Sequence, residues 1–317
     1  MTFQDFKQKL VDAVSKELGI DSDLEIIQAD PKFADLAIPL HKYKVDKLDI
    51  KLEGIESSEV VGGFFNIRLN SRFLAEMLLD SGEDFGKSDI FKGQQVVVEH
   101  TDPNPFKQLH IGHVYSNTVG ESIARIFEAG GAKVHRVSYH GDVGLHVAKG
   151  IWGIQQLLGD KNLEDIEDKP KFLGEGYALG SKKYDEEESV QRQVKELNKQ
   201  IYALDDPELE KLYTTTRGWS FEYFESVYAR LGTSFEKQYF ERDSGQKGLE
   251  IVKDNMGVFE ESEGAVVFKG ESHGLHTRVF VNSQGLPTYE AKDLGLSYLK
   301  AEDYDYDKSI IITGNEV

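Results

Sequence analysis

Between residues 94 and 139 the chain reads as strand, helix and strand, and that unit limits the fold more than any other feature. Gln94–Glu99 is an apolar run, built on Val96-Val97-Val98, that ends in a carboxylate. A Pro-rich turn through Asp102-Pro103-Asn104-Pro105 follows. His110-Ile111-Gly112-His113 then opens a helix carrying Val119, Ile123, Ile126 and Phe127 to about Glu128. Gly130-Gly131 stops it, and Lys133–Tyr139 alternates as a strand. A βαβ unit in about 45 residues is the signature of a parallel, doubly wound sheet. The expected class is α/β.

A chain of 317 residues is too long for one ordinary core, which predicts two domains. Hydrophobic content of 39% with 29% charged residues describes a folded chain rather than a disordered one. No apolar run approaches the roughly 20 residues needed to span a bilayer, and MTFQDFKQKL is no secretory signal. The expectation is a cytoplasmic protein with no membrane partner. Without cysteine, disulfides and thiolate metal sites are excluded. A net charge of −19 argues against non-specific nucleic-acid affinity but permits a structured RNA held by local patches. The Lys-dense stretch Lys42 to Lys51, with Lys32 and His41 before it, reads first as a solvated helix or strand face.

Residues 2–18 predict an amphipathic helix, with Thr2 and Asp5 as a capping box, Phe3, Phe6, Leu10, Val14 and Leu18 at helical spacing, and Gly19 at its end. Gly62–Leu69 alternates like a strand, Ser71–Leu79 reads as a helix, and Asp80–Ser88 as a linker. A small α+β domain is therefore expected over 1–90, and a second domain over 91–317. Residues 160–240 read as mostly helical, and the acidic run Asp185-Glu186-Glu187-Glu188 as a solvated face. Strands are expected at Ala265–Lys269, Thr277–Val281 and Lys308–Thr313, with a helix over Ala291–Lys300. A parallel strand should lead into a turn carrying ligand contacts, and the sequence stops four residues after Thr313. The expectation is an N-terminal fragment of a longer protein, truncated within the second domain.

The histidine turn carries the chemistry. A helix start offers free N–H groups and a favourable dipole to an anion. Imidazoles at i and i+3, His110 and His113, could both donate to phosphoryl oxygens as charge develops. Gly112 lacks a Cβ, so a nucleotide could approach its backbone closely. Other patterns fail. Gly174, Gly176 and Gly180 match neither the dinucleotide fingerprint nor a P-loop, and no strand precedes them. His273-x-x-His276 has no third ligand at credible spacing for zinc, so no metal site is expected. No GxSxG nucleophile motif occurs.

In the order Gly63-Phe64-Phe65-Asn66, VEHTDPNPFKQLHIGH, Tyr139-His140-Gly141-Asp142-Val143-Gly144, Leu231-Gly232-Thr233-Ser234-Phe235, Glu263-Gly264-Ala265 and Leu286-Pro287-Thr288-Tyr289-Glu290-Ala291-Lys292-Asp293, the chain resembles the arginyl-tRNA synthetase family of class I. The resemblance implies a Rossmann-like, HIGH-type nucleotidyltransferase domain with a helical insertion, behind a small domain that touches tRNA. It implies activation of L-arginine by ATP with Mg²⁺, transfer to tRNA(Arg), no tightly bound cofactor, and a monomer. His110 and His113 become the catalytic pair, and His110, Gly112 and His113 the ATP site. Glu99, Asn104, His113, Tyr289 and Asp293 become the arginine site, with Glu99 and Asp293 meeting the guanidinium, a planar fork of donors. The chain departs from the family at Gly141, where Asn is common, at Lys107-Gln108, where Gly-Pro is usual, and at Lys292, where Arg is frequent. The family's KMSKS-type loop and anticodon-binding domain are not in the sequence, so this fragment is expected to be inactive in full aminoacylation. A non-catalytic arginine- or tRNA-binding relative and another HxGH synthetase remain alternatives.

Overall fold

The computed structural model describes residues 3–21, 24–80, 82 and 85–314, in two compact units, Met1–Lys87 and Ser88–Val317. In the first unit, helix α1 (Phe3–Leu18) contributes Phe6, Leu10 and Val14, all fully buried, to a core shared with a four-stranded antiparallel sheet. Its strands, β1 (Ile27–Gln28), β2 (Leu36–Pro39), β3 (Ile55–Val61) and β4 (Phe64–Leu69), lie in the order β1-β2-β4-β3. Helix α2 (Ser71–Asp80) follows. The helical spacing of α1 holds, while Thr2, expected as its cap, lies outside the described residues.

The expected strand Gly62–Leu69 divides. Gly62 and Gly63 form the two-residue turn of a hairpin, with φ of 59° and 80°, and Val61 pairs with Phe64 across it. A Cβ on Gly63 would lie 2.2 Å from His41 Nδ1. Gly63→Val should therefore cost the first unit about 1–2 kcal/mol or more, read as a lower denaturation midpoint. Lys42–Lys51 is neither helix nor strand. It is a turn and an extended segment in which Leu48 and Ile50 face the core and Lys42, Lys44, Lys47 and Lys51 stay exposed.

In the second unit, four parallel strands lie in the order β11-β5-β6-β7: β5 (Gln95–Glu99), β6 (Lys133–His140), β7 (Lys237–Phe240) and β11 (Lys308–Ile311). Val96, Val97 and Val98 are all fully buried because both faces of β5 are covered. Val96 and Val98 pack with Ala124 and Phe127 of helix α3 (Ile111–Ala129). Val97 packs with Leu296 of helix α9 (Tyr289–Asp303) on the other face. The chain runs β5, β6, β7 outward and then returns β11 to the opposite side of β5, so the switch point lies beside the carboxyl end of β5.

The helical stretch between β6 and β7 holds α4 (Leu145–Leu158), α5 (Lys169–Glu186), α6 (Glu188–Ala203) and α7 (Pro207–Leu231) around a core of their own. The acidic run falls at the break between α5 and α6, at Glu187. The glycines rejected as a phosphate motif let α4 and α5 touch backbone to backbone. A Cβ on Gly180 would lie 1.9 Å from Lys149 O, and one on Gly153 1.9 Å from Gly176 O. Helix α8 (Glu241–Asp254), which no sequence pattern had marked, follows β7 directly. A small antiparallel sheet, β8 (Glu260–Ser262), β9 (Ala265–Phe268) and β10 (Arg278–Val281), then leads to α9.

Candidate active site

The turn leaving β5 is strained. Thr101, Asp102 and Phe106 have φ of 78°, 46° and 65°, a region L-residues rarely adopt, least of all a β-branched one. Buried hydrogen bonds hold it there. Thr101 Oγ1 accepts from Asn117 Nδ2 at 3.0 Å, and Thr233 Oγ1 donates to Asn117 Oδ1 at 3.0 Å. Asp102 Oδ1 accepts from Tyr139 N at 2.7 Å and from Ser138 Oγ at 3.1 Å. Burial, and then Glu99, hold the Asp102 carboxyl well above its ordinary range. Thr101, Asp102, Tyr139 and Thr233 lie in segments quoted from the sequence, but these bonds, made across 16 to 116 positions, were not legible there.

His110 caps α3 with its own imidazole: Gly112 N donates to His110 Nδ1 at 3.1 Å. His113 reciprocates, its Nδ1 accepting from His110 N at 3.1 Å. A ring nitrogen that accepts from an N–H carries no proton, so in this arrangement each ring bears its proton on Nε2. The rings stack with centroids 3.8 Å apart. Burial, with His110 and Lys107 adding, lowers His113 to about 4, so it is a neutral donor at neutral pH. Two local features bear on the expected nucleotide site. The helix start is capped internally, with the Gly112 N–H directed to His110 Nδ1. The space beside Gly112 also belongs to His110, whose Cε1 would lie 2.8 Å from an added Cβ. His110→Ala should then cost about 1 kcal/mol of stability through the lost cap, measurable by denaturant unfolding.

The family departures have local causes. Asn104 Oδ1 accepts from Gly141 N at 3.2 Å and would lie 2.4 Å from a Cβ at that position, so Asn104 fills the room that Gly141 leaves. Lys107 Nζ sits 4.4 Å over the Tyr177 ring, and Gln108 Nε2 donates to Pro170 O at 3.5 Å. Both fasten the loop to α5. Asp142 turns inward: it pairs with Arg217 at 3.1 Å, and its Oδ1 accepts from Arg242 N at 3.1 Å.

The acid group assembles from strand ends and helix starts. Glu99 ends β5, Glu241 begins α8 after β7, and Asp293 lies one turn into α9 after Tyr289. Burial, and the charges of Glu241, Asp293 and Glu99, raise Tyr139 of β6 well above its ordinary range, and its hydroxyl hydrogen-bonds Ser244 Oγ at 2.7 Å. Burial raises Asp293 to about 6; a hydrogen bond from Tyr289 opposes this, and Glu99, Glu241 and Glu290 add to it. Burial and Asp293 in turn push Tyr289 up to about 12. Backbone contact between α8 and α9 sets the spacing: a Cβ on Gly248 would lie 1.9 Å from Ala291 O, and one on Gly295 1.9 Å from Ser244 O. Glu241 was missed in the sequence. Its signal was position at the carboxyl end of a parallel strand, directly after β7 as Glu99 is the last residue of β5.

A parallel sheet that presents paired imidazoles and an acid group along one carboxyl edge is a frame of the Rossmann-like kind. Residues 74–316 match the family model described as tRNA synthetases class I (R), catalytic domain, and the chain belongs to that family. It is 31% identical over 266 residues to the arginine–tRNA ligase of Treponema pallidum, covering 80% of this chain and 45% of that protein. With the ligase of Treponema denticola it shares 29% over 314 residues, covering 90% and 53%. The chain thus spans about half the length of the curated relatives it matches. Its fold matches the arginyl-tRNA synthetases of Plasmodium falciparum (TM-score 0.69, 19% identity, 100% of this chain and 60% of that one) and Thermus thermophilus (TM-score 0.66, 23%, 95% and 53%).

Proposed function

We propose that this chain supplies the amino-acid-activating site of an arginine–tRNA ligase. The observation that carries the reading is the pairing, at one sheet edge, of two imidazole donors suited to phosphate with a carboxylate group suited to a guanidinium. In the first step the arginine carboxylate attacks the ATP α-phosphorus in line. The bond to the bridging oxygen breaks, pyrophosphate leaves, and arginyl-adenylate remains. The terminal ribose hydroxyl of tRNA(Arg) then attacks the carbonyl carbon, loses its proton, and AMP departs. No covalent enzyme intermediate is required, so catalysis is positioning and electrostatic stabilisation.

Within this reading His110 and His113 donate from Nε2 to phosphoryl and ribose oxygens, with Gly112 between them at the ATP. Asn104 and Glu99 flank the amino acid, and Tyr289 and Asp293 close on the guanidinium. Mg²⁺ enters with the triphosphate as part of the substrate. The first unit is proposed to touch the tRNA, with exposed Lys42, Lys44, Lys47 and Lys51 meeting phosphates. The proposed setting is the cytoplasm.

Calorimetric titration with each standard amino acid tests this: arginine alone should give a binding isotherm, and tighter binding of any other amino acid overturns the reading. pH gives a second check. Because Asp293 sits at about 6, arginine affinity should hold steady above that value and fall by about tenfold per unit below it, as the carboxylate takes up the proton. A flat profile between about pH 5 and 7 would remove Asp293 from the binding step.

A further inference from the structure

Three carboxylates lie close enough to Asp293 to raise it: Glu99, Glu241 and Glu290. Each has a basic partner. Glu241 meets Lys292 Nζ at 2.6 Å, Glu290 meets Arg278 at 3.6 Å, and Glu99 meets Lys300 Nζ at 2.8 Å. Among the described residues Asp293 has no salt-bridge partner; its carboxylate accepts a hydrogen bond from Tyr289. The Glu99–Lys300 pair is the most deeply placed of the three. Lys300 is 2% exposed and Glu99 3%, and Lys300 also donates to Ser309 Oγ on β11, at 3.4 Å.

An ammonium and a carboxylate this dry are costly apart and tolerable together. Pairing has a second effect on whatever binds nearby. An unpaired Glu99 beside Asp293 would give the site two negative charges, and an unpaired Lys300 would cancel the one that Asp293 provides. With both present, the group carries a single uncompensated charge, at Asp293.

We propose that Lys300 is a positioning and specificity-determining residue of the amino-acid site: by cancelling Glu99 it leaves Asp293 as the one unmatched charge, so the site selects a side chain with a single delocalised cation over its uncharged isostere. Glu99 then serves as an anchored acceptor, and its charge belongs to Lys300. The inference rests on the arginine reading given above.

L-Citrulline, whose urea has the shape of a guanidinium without its charge, separates charge from fit. Calorimetric Kd values for L-arginine and L-citrulline are measured on the chain, on Glu99→Gln, and on Glu99→Gln combined with Lys300→Met. The unaltered chain should prefer arginine by about 100-fold. Glu99→Gln leaves the Lys300 ammonium uncancelled, and the preference should fall by about tenfold or more. Removing Lys300 as well should restore it to within about threefold of the starting ratio, although overall affinity for both ligands drops.

A Lys300 that only holds α9 to the sheet cannot produce that recovery, so a double variant as unselective as Glu99→Gln overturns the proposal. Should Glu99→Gln fail to fold, the double variant decides alone, because it buries no unpaired charge: a restored ratio supports the proposal and a collapsed one refutes it. If the unaltered chain binds neither ligand, the arginine reading fails and this inference with it. That result is distinct from normal arginine binding with an unrestored double variant.

Discussion

Asp293→Asn is expected to weaken arginine binding by about 100-fold or more while leaving the fold intact. The change is isosteric and removes the one carboxylate of the group that has no basic partner. The carboxyl is raised to about 6 by burial and by neighbouring acids, so the fold holds this charge against its surroundings. A neutral amide relieves that repulsion, and the thermal midpoint of Asp293→Asn should equal or exceed that of the parent. Affinity and stability therefore move in opposite directions, the usual mark of a binding residue held under electrostatic strain. Calorimetry for arginine beside a thermal melt reads both. Loss of stability together with binding would assign Asp293 a structural role instead.

Gly295→Val should do the reverse, damaging the frame and through it the site. An added Cβ would lie 1.9 Å from Ser244 O and 2.7 Å from Gly248 N, both backbone atoms that cannot swing away. Helices α8 and α9 must separate to admit it. Overpacking of this kind costs about 3 kcal/mol or more, which for a unit of this size lowers the thermal midpoint by roughly 6–12 °C. Arginine affinity should fall as well, since Glu241 and Asp293 ride on the two helices being parted. A melt unchanged by the substitution would show that the helices are not held at backbone contact.

Much of the second unit was legible because its elements are long or strongly patterned. The run ending at Glu99, the helix after His113 and the strand before Tyr139 appear as β5, α3 and β6 within a residue or two. Short elements escaped. The β7 strand has four residues, and β3 reads Ile-Glu-Ser-Ser-Glu-Val-Val, with little apolar alternation because most of it is exposed. With β7 went α8, and with α8 went Glu241.

The site was legible as residue types and positions: the paired histidines, the strand-end glutamate, and the Tyr289–Asp293 spacing at one helix start. Hidden were the partners that decide what those residues can do. Nothing near Glu99 in sequence announces Lys300, 201 positions away, and nothing near His110 says that its own ring will take the Gly112 N–H. Charge matching is a property of three-dimensional neighbours, and sequence patterning reports only local ones.

The contact between α8 and α9 also bears on how such a site could change over evolutionary time. Side chains between two helices can be trimmed or enlarged by single substitutions, and pockets drift in specificity by that route. Here glycines and main chain meet directly, which leaves no side chain at those contacts to trim. A lineage seeking a different amino acid would have to replace Asp293, Tyr289 or their charge partners in place, on a frame whose width is already at its minimum.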